Sequence, residues 1–178
     1  KQLEKVRFAK GAFAPKGHMY YPISFPEKLE LKSAIVKGIK HTCRDMVAPA
    51  PIVGVRAMRW VAKNIKSWPK KLGAKKANHY LGQIVRMQEE IGTGGGGFRY
   101  IYAAFLQEAS EVLENESLKD FSKEMTQIGD SWRDFALEAS RIYKNRNGEA
   151  VGYESISNQL NEIANREEAF FKALRKAV

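Results

Sequence analysis

From residue 31 onward, apolar residues return every three or four positions in one segment after another, and no two segments alternate with period two. Leu31, Ala34, Ile35, Ile39, Thr42 and Met46 fall on one helical face. Val55, Met58, Ala62 and Ile65 repeat the pattern between Gly54 and Ser67, where Trp68-Pro69 is expected to close the helix. Ala77, Tyr80, Leu81, Ile84, Met87 and Ile91 form a third stripe over 74–91. A fourth covers 98–114 with Phe98, Ile101, Tyr102, Phe105, Ala109 and Val112 inward. Ser117 reads as an N-cap with Asp120 three residues on. The helix it opens is expected to reach Tyr143 through Leu118, Phe121, Ile128, Trp132, Phe135, Ala139 and Ile142. After a turn at 145–148, Ile156, Leu160, Ile163, Ala164, Phe170, Phe171 and Leu174 mark the last helix. A strand needs a partner strand, and none is in view. The sequence therefore predicts an all-α fold, a single bundle of about six helices, with an extended N-terminal arm.

That arm is the exception to the pattern. Residues 3–9 suit one or two helical turns. Pro15, Gly17, Pro22 and Pro26 then punctuate a stretch holding Tyr20, Tyr21, Ile23 and Phe25, which favours extended chain. Residues 1–26 are expected to be an arm or linker from an upstream domain, with the helical domain over 27–178. The chain starts at Lys1 rather than Met, which agrees with the C-terminal part of a longer protein. At 178 residues and 44% apolar composition it can bury a real core. No run of about 18 uncharged apolar residues is present, no signal-peptide pattern opens the chain, and Cys43 is the one cysteine. A disulfide framework is excluded, and a cytoplasmic, membrane-free setting is expected.

A complete catalytic site is missing from these residues. Cys43 and His41 lie two apart on a helix and point about 200° away from each other, so they make no nucleophile–base pair. His18, His41 and His79 show no metal-binding spacing. Glu89-Glu90 and Glu108 with Glu111 read as solvated helix faces. No catalytic residue, metal ligand or cofactor site is assigned.

Two features look instead like contact surfaces. The run Gly94, Gly95, Gly96, Gly97 precedes a helix and is followed by Arg99. Glycines there expose backbone N–H groups that can meet an anion or an interface. No Lys-Ser or Lys-Thr pair follows and no strand precedes, so neither a Walker loop nor a dinucleotide fingerprint is present. A flexible surface loop or close backbone packing is the plainer account. The second feature is charge. Residues 1–91 carry 19 Lys/Arg against 6 Asp/Glu, while 92–178 carry 11 against 14, or +13 and −3. Lys63, Lys66, Lys70, Lys71, Lys75 and Lys76 contribute six cations without an acid between them, near Trp60 and Trp68. A basic half suits an acidic partner. Nucleic acid is disfavoured because Arg, the usual base reader, is absent between Arg59 and Arg86.

Three groups of residues together resemble a known family. They are Gly54-Val55-Arg56-Ala57-Met58-Arg59 with Trp68; Gly97-Phe98-Arg99 with Tyr102, Phe105-Leu106 and Glu108-Ala109; and the arm around Tyr20-Tyr21 and Phe25, with Trp132 in agreement. Their order and spacing resemble the C-terminal helical domain of proteins similar to butirosin biosynthesis protein H. The glycine run is longer here than that pattern. The resemblance covers about residues 20–143. It implies an upstream papain-like domain carrying a catalytic cysteine, and acyl transfer from an acyl carrier protein. No catalytic residue carries over, because that motif lies outside these residues.

The resulting expectation is an accessory helical domain of a cysteine-dependent acyltransferase or peptidase-like protein. It would shape the acceptor side of the cleft or dock the carrier through Gly94–Gly97, Arg99, Tyr102, Arg59 and Trp68. The alternatives are a basic nucleic-acid-binding module and a structural domain that forms a homodimer.

Overall fold

The computed structural model describes residues 2–11, 14–25, 28, 30–146 and 152–178. Pro26 and Glu27, at the expected boundary, and Asn147 and Gly148, in the expected turn, lie outside them. Among the described residues there are eight α-helices and no strand. They are α1 (Gln2–Arg7), α2 (Leu31–Met46), α3 (Gly54–Ile65), α4 (Trp68–Leu72), α5 (Ala74–Glu89), α6 (Arg99–Leu113), α7 (Ser117–Tyr143) and α8 (Tyr153–Ala177). Six of the eight span 12 residues or more, so the all-α reading holds.

The chain divides into two compact units, 1–30 and 31–178. In the first, α1 has no buried residue, and the Arg7 guanidinium donates to the Gly17 carbonyl at 2.9 Å. The aromatic residues Tyr20, Tyr21 and Phe25 are exposed and form no strand.

The second unit holds the core. The two long helices α7 and α8 supply most of it. Ile128, Phe135 and Ala139 from α7 meet Ile156, Ile163, Phe170 and Leu174 from α8, with Ile39, Ile65, Leu81 and Leu106 closing the remaining sides. Helix α3 packs along α8, while α5 and α6 pack along α7. Gly54 opens α3 at φ +54°, where an added Cβ would lie 2.1 Å from the Met46 carbonyl oxygen. Only glycine lets α3 start so close to the end of α2.

Three local expectations are corrected. Trp68-Pro69 begins the short helix α4 instead of ending α3, because proline is tolerated in a first turn where its missing N–H has no partner to lose. Ser117 is the first helical residue, not the cap. The Asn115 side-chain oxygen accepts from the Ser117 backbone N–H at 3.2 Å and from its hydroxyl at 2.7 Å. The third and fourth stripes are rotated. On α5 the buried set is Ala77, Leu81, Val85 and Gln88, and on α6 it is Ala103, Leu106, Ala109 and Ser110. Tyr80, Met87, Ile91, Phe98 and Ile101 are exposed.

Candidate functional site

Four of those outward apolar residues flank the glycine run. Between α5 and α6 the chain makes nearly every turn with positive φ: Gly92, Gly94, Gly95, Gly96, Gly97 and Phe98 all adopt it. The centre of the run is packed. Thr93, Gly95 and Gly96 are buried, whereas Gly92 and Gly94 are exposed. This differs from a loop lying wholly at the surface. Without side chains the backbone comes down on α7 at Gly129, and a Cβ on Gly96 would sit 3.2 Å from the Gly129 carbonyl oxygen and 3.0 Å from the Tyr100 ring. The N–H groups of Gly95 and Gly96 find acceptors within the chain. The Gly96 N–H donates to Glu89 Oε1 at 2.9 Å, and the Gly95 N–H to Thr93 Oγ1 at 3.2 Å.

Beneath the turn lies a charged junction. Glu167 of α8 is completely buried. Its Oε1 accepts from Trp132 Nε1–H at 2.6 Å and from Arg99 Nε–H at 2.7 Å, and its Oε2 accepts from Arg99 Nη2–H at 2.8 Å. The Arg99 guanidinium also lies 4.9 Å from the centroid of the Trp132 ring, and its Nη1 donates to the Gly97 carbonyl at 2.6 Å. One arginine thus ties the glycine turn to α8 and α7. A buried carboxylate is tolerable only with such a full set of donors. Sequence reasoning named Arg99 but missed Glu167, although it stands three and four residues from Ile163, Ala164, Phe170 and Phe171 and so falls on the apolar stripe of α8.

Phe98 sits directly above this junction, in left-handed conformation (φ 70°, ψ 0°) and 56% exposed. For a bulky residue that is a strained backbone, and such strain persists only where the surroundings enforce it. Here Gly97 and Arg99 are fixed on both sides. Phe98 divides two clefts. One, of about 160 Å³, is lined by Thr42, Met46, Gly97, Arg99, Tyr102 and Met125. The other, of about 320 Å³, is lined by Ile84, Met87, Gln88, Thr93, Arg99 and Trp132. Each cleft has an unsatisfied polar atom in its wall. Gln88 is 7% exposed, and its Nε2–H donates to the Trp132 carbonyl at 2.7 Å while its Oε1 accepts nothing. The buried Tyr102 hydroxyl also makes no hydrogen bond of sound geometry, although Thr42 lies beside it. Burial pushes the Tyr102 phenol well above its ordinary value, so it stays a neutral donor.

The other expected contact residues have structural duties. Arg59 is half-buried and pairs with Glu168, and its guanidinium donates to Asn165 Oδ1 at 2.9 Å, joining α3 to α8. Trp68 is half-buried and meets Tyr80 edge-on at 6.1 Å. Arg99, Tyr102 and Gly97 do converge with Phe98, while Arg59 and Trp68 line neither cleft. Cys43 is buried, and burial pushes its thiol up to about 11 against the lowering field of Arg175. At neutral pH it is neither thiolate nor reachable. Among the described residues no three His, Cys, Asp or Glu side chains come together in a way that could hold a metal ion. No helix among them is long and apolar enough to cross a membrane.

The sequence model of a family described as a domain of unknown function (DUF4872) matches residues 1–174. The match spans nearly the whole chain, so the chain belongs to that family. No curated protein and no solved structure matches it.

Proposed function

We propose, for this member of a family without assigned function, a non-catalytic docking role centred on Phe98. The chain acts as the accessory helical domain of a cysteine-dependent acyltransferase or peptidase-like protein. The Phe98 face borders the acceptor side of that protein's cleft or receives its acyl carrier protein. The observation that carries the docking role is the exposed ring of Phe98, held in a strained backbone between two apolar clefts by a buried ion pair. A residue chosen for packing would have neither the exposure nor the strain. Met87, in the wall of the larger cleft, adds an adaptable apolar surface of the sort used at interfaces. The acyl-transfer setting rests on the resemblance of Gly97-Phe98-Arg99 and its neighbours, and an acidic carrier suits the basic half of the chain.

Phe98→Gly separates docking from folding. Glycine accepts the left-handed backbone freely, so thermal stability should stay within about 1 kcal/mol of the parent and move upward if at all. Titration of the chain with an acyl carrier protein, followed by amide chemical shifts, should show perturbation around Met87, Phe98 and Ile101 that Phe98→Gly removes. Loss of stability on the scale of a core truncation would make Phe98 a packing residue and end this reading. Carrier binding unchanged by the substitution would do the same. Absence of carrier binding alongside tight binding of mixed-sequence DNA would favour the basic nucleic-acid module instead.

A further inference from the structure

A second region carries ligand-binding chemistry independently of the Phe98 face. Helix α2 presents Lys37, Lys40, His41 and Arg44 at spacings of three and four, and Arg175 from the last turn of α8 joins them around one cleft of about 280 Å³. No carboxylate lines it. The acid nearest in sequence, Asp45, is already engaged at 3.0 Å from His41 Nδ1 and 3.5 Å from Arg44 Nε. Lys37, Lys40 and Arg175 form no ion pair among the described residues. On the neighbouring long helices Lys119 pairs with Glu116, Lys123 with Asp120 and Lys172 with Glu168. Like charges three and four apart on one helix repel, a cost that a bound anion would offset.

We propose that this cleft binds a small polyanion carrying two or more phosphate groups. The lysine and arginine stems supply its apolar walls, and their charged heads supply its cations. Arg44 and Arg175 offer planar forks suited to phosphate oxygens, and Lys37 and Lys40 add point charges. Arg175 near the end of α8 is also favourable to the helix dipole. That explanation does not reach Lys37 and Lys40, which sit in the middle of α2. The cationic stripe from Lys37 to Arg44 is only about 10 Å long at 1.5 Å per residue. A compact diphosphate matches it better than a nucleic-acid strand, which needs a groove following several successive phosphates with aromatic platforms for its bases.

Inorganic pyrophosphate is the probe, titrated calorimetrically into the full chain at about 0.15 M salt, where long-range attraction is screened. Saturable one-to-one binding is expected, at least tenfold weaker in Lys40→Gln/Arg175→Gln, with the thermal midpoint of that variant unchanged or raised. Lys75→Gln/Lys76→Gln removes the same charge from another basic surface and should leave the affinity as it was. Vesicles bearing a bisphosphorylated lipid headgroup, compared with free pyrophosphate, tell a lipid-borne ligand from a soluble one. The proposal is overturned if the parent chain shows no saturable binding, or if both double variants weaken it equally. It is overturned too if a single-stranded DNA oligomer binds more tightly than pyrophosphate and loses its binding in the α2–α8 variant.

Discussion

Glu167 and Glu168 are adjacent in sequence and inhabit different worlds. One residue of helix turns a side chain by about 100°. Glu167 therefore faces inward, completely buried, and is held by Arg99 and Trp132 beneath the glycine turn. Glu168 lies on the rim, 27% exposed at its side chain, and is shared by Arg59 and Lys172. The same charge in the same helix thus serves two ends. The inner pair fixes a strained surface feature from below, at a high desolvation cost. Of the outer pairs, that with Arg59 joins α3 to α8 and that with Lys172 lies within α8, and both remain open to water.

The comparison is broken most severely at its inner side. Glu167→Ala leaves the Arg99 guanidinium without its counterion and the Trp132 indole N–H without its acceptor. Removing one partner of a buried pair costs about 3–5 kcal/mol. Urea unfolding followed by far-UV circular dichroism should show that loss, and Glu167→Gln, which keeps the shape, should show a smaller one. A loss under about 1 kcal/mol for the alanine would mean that the inner junction is no more demanding than the rim.

The glycine turn sharpens the contrast one step further out. Gly96→Ala faces the Tyr100 ring at 3.0 Å, the Gly129 carbonyl at 3.2 Å and a φ of +58°, whereas Gly92→Ala at φ +69° enters open space. Backbone strain alone costs about 1 kcal/mol or a little more, and contact adds to it. Gly96→Ala should therefore lose about 2–3 kcal/mol and Gly92→Ala about 1 kcal/mol, as read from the same unfolding curves. Equal losses would show that the turn is not packed against α7. Hydrogen exchange at the Gly95 and Gly96 amides should likewise be slower than at Gly92.

How much of this was legible in the sequence follows from the same physics. The long helices α7 and α8 are covered by neighbours over much of their length, so Leu118 through Ile142 and Ile156 through Leu174 repeat at helical spacing without ambiguity. On α5 and α6 one flank is open, and the apolar period there sums two faces. One face packs against α7, and the other carries Met87 and Ile101 outward, with Ile91 and Phe98 just beyond the helix ends. Periodicity cannot tell a core stripe from a contact stripe. Four of the five residues that misled it flank the glycine run beside the proposed docking face, and the fifth, Tyr80, meets Trp68. The glycine run was conspicuous, but its direction was not: only the close approach to Gly129 shows that the backbone turns inward. Glu167 was legible by spacing, since it lies three and four residues from Ile163, Ala164, Phe170 and Phe171, but its charge argued for solvent, and only its partners Arg99 and Trp132 show what lets it stay inside. Of the expected contact residues, Arg59 and Trp68 were drawn by motif and belong to helix packing.

The smallest effect is expected at the rim, and it tests the outer half of the comparison by pH as well as by substitution. Hydrogen bonds from Lys172 and Arg59 hold the Glu168 carboxyl below its ordinary value of 4.5. A carboxylate lowered on folding contributes its stability above the unfolded value and loses it as pH falls through the folded one. Glu168 should therefore add a small term at neutral pH that fades below about 4.5. Exposure to water limits that term to about 0.2–1 kcal/mol, the usual range for such pairs. Glu168→Gln should cost no more than this at pH 7. Parent and variant should then converge in stability as the pH is lowered towards 3, since protonation has by then removed the charge that glutamine lacks throughout. A constant gap between the two curves would place the worth of Glu168 in its hydrogen bonds and packing rather than in its charge. A neutral-pH loss as large as that of Glu167→Ala would erase the distinction between the inner and outer acids altogether.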